Sequence, residues 1–147
     1  MDIRLLTRKE LNNSLDFVWR VFCDYEAVNY PEGGKQAFYN AIHSEDFLKT
    51  LSAYGAYDKG EMIGIIATRN EGSHIALFFV DGAHQGRGIG RRLWETVLEN
   101  SGADVITVNS SLYAKDIYSK LGFIQLSDVL QQDGIRFIPM EYSANNR

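Results

Sequence analysis

The sequence is poor in cysteine. Its 147 residues include a single one, Cys23, which cannot form a disulfide within the chain. Without further cysteines near the three histidines, the chain also lacks a recognisable zinc-binding spacing. Cys23 is therefore interpreted as a small core residue beside Phe22.

Long hydrophobic runs are also missing. No apolar stretch approaches the roughly 20 residues that a membrane-spanning helix needs, and the amino terminus, Met1-Asp2-Ile3-Arg4, lacks the hydrophobic segment of a signal peptide. We therefore expect a cytoplasmic protein with no membrane partner. The chain has no repeat, linker or low-complexity segment, and its hydrophobic content of 45% predicts one domain over residues 1–147.

The chain has no excess of positive charge. Fifteen Lys and Arg residues against 19 Asp and Glu give a formal net charge of -4 and an isoelectric point near 5.3. General nucleic-acid binders use a basic face to neutralise phosphates, often with aromatic residues that stack on bases. Neither feature is present, so we expect no nucleic-acid partner and only a local site for any anion.

Apolar periodicity indicates a strand and a long helix at the amino terminus. Residues 3–6 alternate weakly and predict a strand, after which Thr7 and Glu10 have the spacing of a helix capping box. Apolar residues recur at helical spacing over residues 11–28, and Pro31 then breaks the pattern.

A second helix and three strands are predicted next. The helix runs through residues 38–42, and the strands at 53–57 and 62–67 form a hairpin around a turn at Lys59-Gly60. Residues 74–80 are almost all apolar, which predicts a central strand covered on both faces.

The carboxyl-terminal half repeats a strand-to-helix pattern. After the central strand, a glycine-rich turn leads into an amphipathic helix over residues 89–98. A strand at 104–108 and a helix at 112–120 follow, with Gly122 as a left-handed C-cap. Two strands, at 123–126 and 135–142, complete the prediction.

The last predicted strand contains Pro139, which has no N–H for a ladder hydrogen bond and so suggests a sheet edge or a bulge. An edge strand can pair with a second copy of the chain or simply close the sheet. A monomer and a homodimer therefore both remain open.

The turn after the central strand has the sequence Gln85-Gly86-Arg87-Gly88-Ile89-Gly90-Arg91-Arg92. Amides of a first helical turn can converge on one anion, and the glycines allow close backbone approach. A tight turn with solvated arginines is the alternative. A Walker loop is excluded because no Gly-Lys-Ser or Gly-Lys-Thr follows, and a dinucleotide-binding turn needs glycine where Arg91 stands.

Gln85, Gly88 and Gly90 resemble the pyrophosphate-binding motif of the GNAT (GCN5-related N-acetyltransferase) family. The resemblance implies that the loop binds the pyrophosphate of coenzyme A, and that the end of the preceding strand pairs with the pantetheine arm. The residues it assigns to the cofactor are Phe79, Val80, Gln85, Gly86, Arg87, Gly88, Ile89, Gly90 and Arg91.

Residues 114–123 resemble the second signature of the same family, a helix with Ala and Tyr that ends in Leu-Gly-Phe. By this resemblance Tyr118 is the catalytic acid that protonates the departing thiolate, although a tyrosine on an apolar stripe is also a common core residue. Asn109 is expected either to contact the coenzyme arm or to cap the following helix.

Together the motifs imply a mixed α/β (α+β) acyltransferase fold, with a mostly antiparallel sheet flanked by helices. The implied function is N-acetylation, in which acetyl-CoA donates its acetyl group directly to an amine in a ternary complex without a metal. Coenzyme A would lie between the strands that end near Val80 and Asn109. The alternatives are another short acyl donor, an acyl-CoA-binding sensor and a noncatalytic interaction domain.

The acceptor side is less defined. Tyr25, Glu26 and Tyr30 lie in the region that lines the acceptor pocket in the family, although a solvated turn explains each of them singly. Asp81 and His84 are expected to be solvated, and His74 structural. No residue is marked as the general base, and a small amine, a peptide amino terminus and a protein lysine all remain possible acceptors.

Overall fold

The structure is a computed structural model that describes residues 1–132 and 134–144. Its helices and strands follow one another in the order β1 Asp2–Leu5, α1 Arg8–Asn13, α2 Leu15–Tyr25, α3 Glu32–Ile42, α4 Glu45–Leu48, β2 Ser52–Asp58, β3 Glu61–Arg69, β4 His74–Val80, α5 Ile89–Asn100, β5 Val105–Ser110, α6 Lys115–Lys120, β6 Ile124–Gln125, β7 Leu130–Gln132 and β8 Ile135–Ser143. Short 3-10 turns occupy Ala27–Asn29 and Gly82–His84.

The strands form one sheet in the order β1-β2-β3-β4-β5-β8-β6, with β7 paired to β8. Every pairing between the described strands is antiparallel except that of β4 with β5. The predicted fold class, a mixed and mostly antiparallel sheet with flanking helices, is confirmed. No helix within the described ranges has both the length and the apolar character to span a bilayer.

Both faces of the sheet are covered, as the apolar run of β4 predicts. Leu77 and Phe79 belong to the core under α2 and α3, whereas Phe78 and Val80 pack on the opposite core under α5. Side chains alternate along a strand, so an unbroken apolar run supplies both cores. Burying each large side chain contributes about 1.5–3 kcal/mol, and the two cores hold β4 in place.

The predictions made from local sequence patterns, a helix capping box, a hairpin turn and a glycine C-cap, are confirmed. Thr7 and Glu10 form both hydrogen bonds of the capping box. Lys59 and Gly60 have positive φ angles of 53° and 82°, as a tight hairpin turn requires. Gly122 has φ 105° after α6, which begins at Lys115, later than predicted.

The long amino-terminal helix was predicted wrongly. It is broken at Ser14, whose N–H and hydroxyl both bind the carbonyl oxygen of Leu11, so that α1 ends there and α2 begins. Serine competes locally for backbone partners in this way. Cys23 is exposed rather than buried, because the core stripe of α2 runs through Val18 and Phe22, and the next residue points away from it.

Of the two positions suggested for Pro139, a sheet edge or a bulge, the edge is wrong. β8 pairs with β5 and, in addition, with β6 and β7. Pro139 lies between the stretch that pairs with β7 and the stretch that pairs with β6, and its carbonyl still accepts from the N–H of Leu126 at 2.9 Å. The missing N–H therefore falls where the ladder is already interrupted.

Candidate functional site

The two parallel strands at the centre of the sheet separate to form a cleft. β4 pairs with β5 only at His74 with Thr107 and Ile75 with Val108, although β4 continues to Val80. At the paired end, Nδ1 of His74 lies 2.8 Å from the Thr107 hydroxyl. Beyond Ile75, no backbone pairing joins the described residues of β4 and β5, so polar groups along this edge of β4 are available to a ligand, apart from the Val80 carbonyl, which accepts from the Gln85 side chain.

The cleft between the separated strands has a volume of about 90 Å³. Its walls come from β4, β5, α3 and α6, and from the segments that follow α2 and precede α6. The residues that line it are Glu26, Tyr30, Phe38, Ile75, Ala76, Leu77, Phe78, Phe79, Val108, Asn109, Ser111, Ala114 and Tyr118.

The glycine-rich loop connects the end of β4 to α5. Gly86 and Gly88 have φ angles of 83° and 78°, and a Cβ at either position would meet no atom within 4 Å. Backbone conformation, not packing, therefore demands glycine at both positions. Ile89 is buried in the core and anchors the first turn of α5.

The amino-terminal end of α5 is free of internal caps. Gly88 precedes the helix and has no side chain to cap it. Within residues 1–132 and 134–144, no hydrogen bond uses the N–H groups of residues 86–91. Several amides at a helix start, together with the positive end of the helix dipole, favour an anion.

The arginines of the loop differ in their placement. Arg87 is exposed on the loop. The guanidinium of Arg91 donates to the carbonyl oxygen of Lys120 at 3.2 Å, so its side chain joins α5 to the end of α6. Arg91 can therefore offer an anion at the start of α5 only its backbone N–H.

The Gln85 side chain spans the end of β4. Its Nε2 donates to the carbonyl oxygen of Val80 at 3.2 Å, and the Tyr113 hydroxyl donates to its Oε1 at 3.3 Å. Tyr113 in turn stacks on Tyr25, with ring centroids 5.5 Å apart. Tyr25 therefore lies over the loop after β4, outside the walls of the cleft, and its phenol occupies the space that a Cβ at Gly82 would need.

Tyr118 lies in the inner wall of the cleft. Its side chain is 6% exposed and packs edge-on against Phe78 and Phe123, at centroid distances of 5.9 Å and 5.3 Å. Burial, and then the negative charge of Glu26, raise the pKa of the phenol far above its ordinary value. The raised pKa keeps the phenol protonated, and no described residue accepts a hydrogen bond from its hydroxyl, so the hydroxyl is free to donate.

Two of the three predicted acceptor residues line the cleft, Glu26 and Tyr30. Burial raises the pKa of the Glu26 carboxyl, and the Ser111 hydroxyl partly offsets the effect. Burial and the charge of Glu26 raise the pKa of Tyr30 to about 12. Glu26 is the one carboxyl side chain in the described walls, which contain no Lys, Arg or His.

Asn109 is exposed on β5 opposite Pro139 and lines the cleft. The capping alternative is wrong, because α6 begins only at Lys115 and the Ser111 hydroxyl accepts the N–H of Ala114 just before it. The Phe79 side chain lies in the core against Phe38, which leaves its backbone as the part that faces a ligand.

The expected solvation of Asp81 and His84 is corrected. Oδ2 of Asp81 lies 2.9 Å from Nδ1 of His84, and Oδ1 accepts from Arg20 at 3.1 Å. Burial acts to raise the pKa of Asp81, but these two bonds outweigh it, and the net pKa is below the ordinary value. His74 is structural as expected, with a pKa lowered by burial and by Arg69.

No sequence pattern pointed to Tyr113, which contacts the loop, or to Ser111, which lines the cleft; both lie in the segment before α6. Both stand in the segment predicted to belong to the helix at 112–120 or just before it. Among the described residues, no three His, Cys, Asp or Glu side chains cluster as a metal site would require.

Residues 23–144 match the family model of the acetyltransferase (GNAT) domain. No functionally curated protein matches the chain.

Solved structures share the fold. A GCN5-related N-acetyltransferase from Rhodopseudomonas palustris superposes with a TM-score of 0.81 at 18% identity, over 97% of this chain and 94% of that one. Tetrahymena GCN5 gives 0.67 at 16%, over 97% and 96%. An aminoglycoside 6'-N-acetyltransferase complexed with coenzyme A gives 0.64 at 15%, over 97% of each chain.

Proposed function

The chain belongs to the GNAT acetyltransferase family, and from that premise we propose that it transfers the acetyl group of acetyl-CoA to an amine. The observation that supports the proposal is that two features, a cleft and a helix start, meet at one place. The cleft between β4 and β5 opens toward the loop that begins α5, where the N–H groups of residues 86–91 have no internal partner.

The pyrophosphate of coenzyme A binds at this loop in our proposal. Gln85, Gly86, Arg87, Gly88, Ile89, Gly90 and Arg91 contribute backbone groups, and Arg87 adds positive charge. The similar aminoglycoside acetyltransferase was solved with coenzyme A, which supports the same donor here.

The pantetheine arm extends along the open edge of β4. Backbone groups of Phe79 and Val80 pair with its amides, and Asn109 contacts it from β5. Because the Gln85 side chain donates to the Val80 carbonyl, the arm must displace this side chain or bind beside it. The thioester then lies near Tyr118.

Tyr118 supplies the proton in the chemical step. The amine nitrogen attacks the thioester carbonyl carbon in a ternary complex, the C–S bond breaks, and the phenol protonates the departing sulfur. A phenol held protonated by its surroundings retains this proton at neutral pH. No metal or covalent enzyme intermediate is needed.

We further propose that residues 1–147 act as one cytoplasmic domain, as a monomer or a homodimer, without a nucleic-acid or membrane partner. The net charge of -4 supports the nucleic-acid part of this proposal.

The test is a turnover assay. Purified protein, acetyl-CoA and a panel of amines are mixed, free thiol is measured over time, and the acetylated amine is identified by mass spectrometry. We expect thiol release that depends on one class of amine. Binding of acetyl-CoA without turnover on any amine would support the sensor alternative and contradict the proposal.

A further inference from the structure

The last residue of β4 directs its backbone groups into the gap between β4 and β5. The N–H of Asp81 donates to the carbonyl oxygen of Ile63 on β3 at 2.9 Å, and successive residues of an antiparallel strand turn their backbone groups to opposite sides. The N–H and carbonyl of Val80 therefore face the β5 side, where no described pairing joins the two strands beyond Ile75 and Val108. Val80 presents one donor and one acceptor to whatever enters the gap.

Two side chains cross the gap at this point. Nε2 of Gln85 donates to the carbonyl oxygen of Val80 at 3.2 Å, and the hydroxyl of Tyr113, in the segment that follows β5, donates to Oε1 of Gln85 at 3.3 Å. These two hydrogen bonds connect the end of β4 to that segment after the strand backbones have separated. The contacts from Val80 through Gln85 to Tyr113 are called the side-chain bridge below.

Tyr25 holds the ring of Tyr113 from the side of α2. The two rings stack with their centroids 5.5 Å apart and their planes 18° from parallel. The Tyr25 phenol rests against Gly82, which has no side chain to displace it. Tyr113 itself is half-buried, so its ring is supported on one face while its hydroxyl reaches the exposed Gln85.

The side-chain bridge stands between the two parts of the proposed coenzyme site. The N–H groups of residues 86–91, proposed for the pyrophosphate, follow it directly in the chain. The cleft begins on its other side, where Phe79 and Ala114, the chain neighbours of Val80 and Tyr113, line the walls. An arm that joins a pyrophosphate at the loop to a thioester in the cleft must therefore pass between Val80 and Tyr113.

We propose that Tyr113 is a positioning residue whose hydroxyl keeps Gln85 on the Val80 carbonyl and thereby controls the entry of the pantetheine arm. The arm displaces the Gln85 amide and takes over the Val80 carbonyl. This inference rests on the proposed coenzyme site, and it adds the residue that governs how fast and how tightly the arm binds there.

The stability of the side-chain bridge opposes binding. Only the open form admits the arm, so the apparent dissociation constant is the intrinsic one divided by the fraction of open molecules, and the association rate constant falls by the same fraction. A hydrogen bond between neutral side chains has a modest net strength, which corresponds to about a two- to tenfold preference for the bonded form. Loss of the Tyr113 hydroxyl should therefore favour the coenzyme.

Tyr113→Phe removes the hydroxyl and keeps the ring that stacks on Tyr25. Association is followed by stopped-flow fluorescence with etheno-coenzyme A, and affinity for the same probe is measured by calorimetry. We expect both the association rate constant and the affinity to rise about two- to tenfold over the wild type. A hydroxyl that served only the packing of the loop would give weaker binding when removed.

A second probe separates entry of the arm from binding at the loop. Phosphoadenosine diphosphate, the nucleotide part of coenzyme A, keeps the pyrophosphate but has no pantetheine arm. Because this probe has no arm to cross the side-chain bridge, Tyr113→Phe should leave its affinity within about twofold of the wild type. An equal change for both probes would show a general effect on the loop and would overturn the proposal.

Two more variants test the path of the effect. Gln85→Ala removes the middle of the side-chain bridge and should also speed association of etheno-coenzyme A. Adding Tyr113→Phe to that variant should change the rate by less than about twofold, because the hydroxyl acts through Gln85. Tyr25→Phe is the matched control: it removes the neighbouring hydroxyl, which rests on Gly82, and should bind both probes as the wild type does.

Failure of this inference differs from failure of the proposed function. If the wild type binds both probes but Tyr113→Phe fails to speed association or to tighten binding of etheno-coenzyme A, the role of Tyr113 is wrong and the coenzyme site stands. If the folded wild type binds neither probe, the proposed coenzyme site and this inference are both wrong.

Discussion

Replacing Tyr118 by phenylalanine separates chemistry from packing. The ring contacts Phe78 and Phe123 through its edges, and phenylalanine preserves both contacts. The hydroxyl that is lost has no hydrogen-bond partner among the described residues, so the free energy of unfolding should change by less than about 1 kcal/mol.

The expected effect on catalysis is much larger. General acid catalysis contributes about 10²–10⁴ in rate, which corresponds to about 2.7–5.4 kcal/mol of transition-state stabilisation at 1.36 kcal/mol per decade. Because the phenol has a raised pKa and lies beside the proposed sulfur position, we expect kcat to fall within this range. Affinity for acetyl-CoA should change by no more than about twofold.

The assay compares initial rates of thiol release at saturating acetyl-CoA and amine, with calorimetry on the same samples. Tyr142→Phe is the matched control, since Tyr142 packs on Phe123 and Trp94 but lies outside the cleft walls. A Tyr118→Phe enzyme with at least one third of the wild-type kcat would refute the assignment of the acid.

Three further substitutions test the loop and its surroundings. Gly88→Asp forces a side chain into a left-handed backbone conformation and adds negative charge at the proposed pyrophosphate site. Calorimetry should therefore show at least about tenfold weaker coenzyme binding. Normal affinity would contradict the loop assignment. Asp81→Asn should lower Tm near neutral pH. Because the folded-state pKa of Asp81 is depressed, the stabilisation by its carboxylate is present above about pH 4 and disappears as the pH falls through that lower pKa. A difference in Tm that does not depend on pH would refute this. Gly82→Ala places a methyl group against the phenol of Tyr25 and should lower the free energy of unfolding in urea by about 1–3 kcal/mol. Gly33→Ala has open space around it and should not lower the free energy of unfolding. Equal stability of the two variants would contradict the packing of Tyr25 on Gly82.

Elements encoded by local patterns could be predicted from the sequence. The capping box at Thr7, the turn at Lys59-Gly60 and the strand–loop–helix unit around Gly88 depend on residues close together in the chain. Short-range periodicity and glycine placement contain the necessary information.

Features that depend on distant partners could not be predicted. Asp81 is held by Arg20, 61 positions away in the chain. Pro139 is accommodated inside the sheet because β6 and β7 pair with separate stretches of β8. The break at Ser14 arises from a choice between neighbouring backbone partners that apolar spacing does not record.

The candidate site shows the same division. The motif matches indicated Tyr118, which lines the cleft, and the glycine loop, which follows β4, one of the strands that wall it. The place of Glu26 in the cleft wall, which sets it apart from Tyr25, follows from the way α2, β5 and α6 meet. Periodicity within α2 alone contains no information about that meeting.

Titration calorimetry with acetyl-CoA tests the central claim, that the cleft and the loop together bind the coenzyme. We expect one binding site per chain with micromolar affinity, about 8 kcal/mol of binding free energy. A folded sample that shows no binding at millimolar acetyl-CoA would contradict the proposed coenzyme site and the acetyl transfer that depends on it.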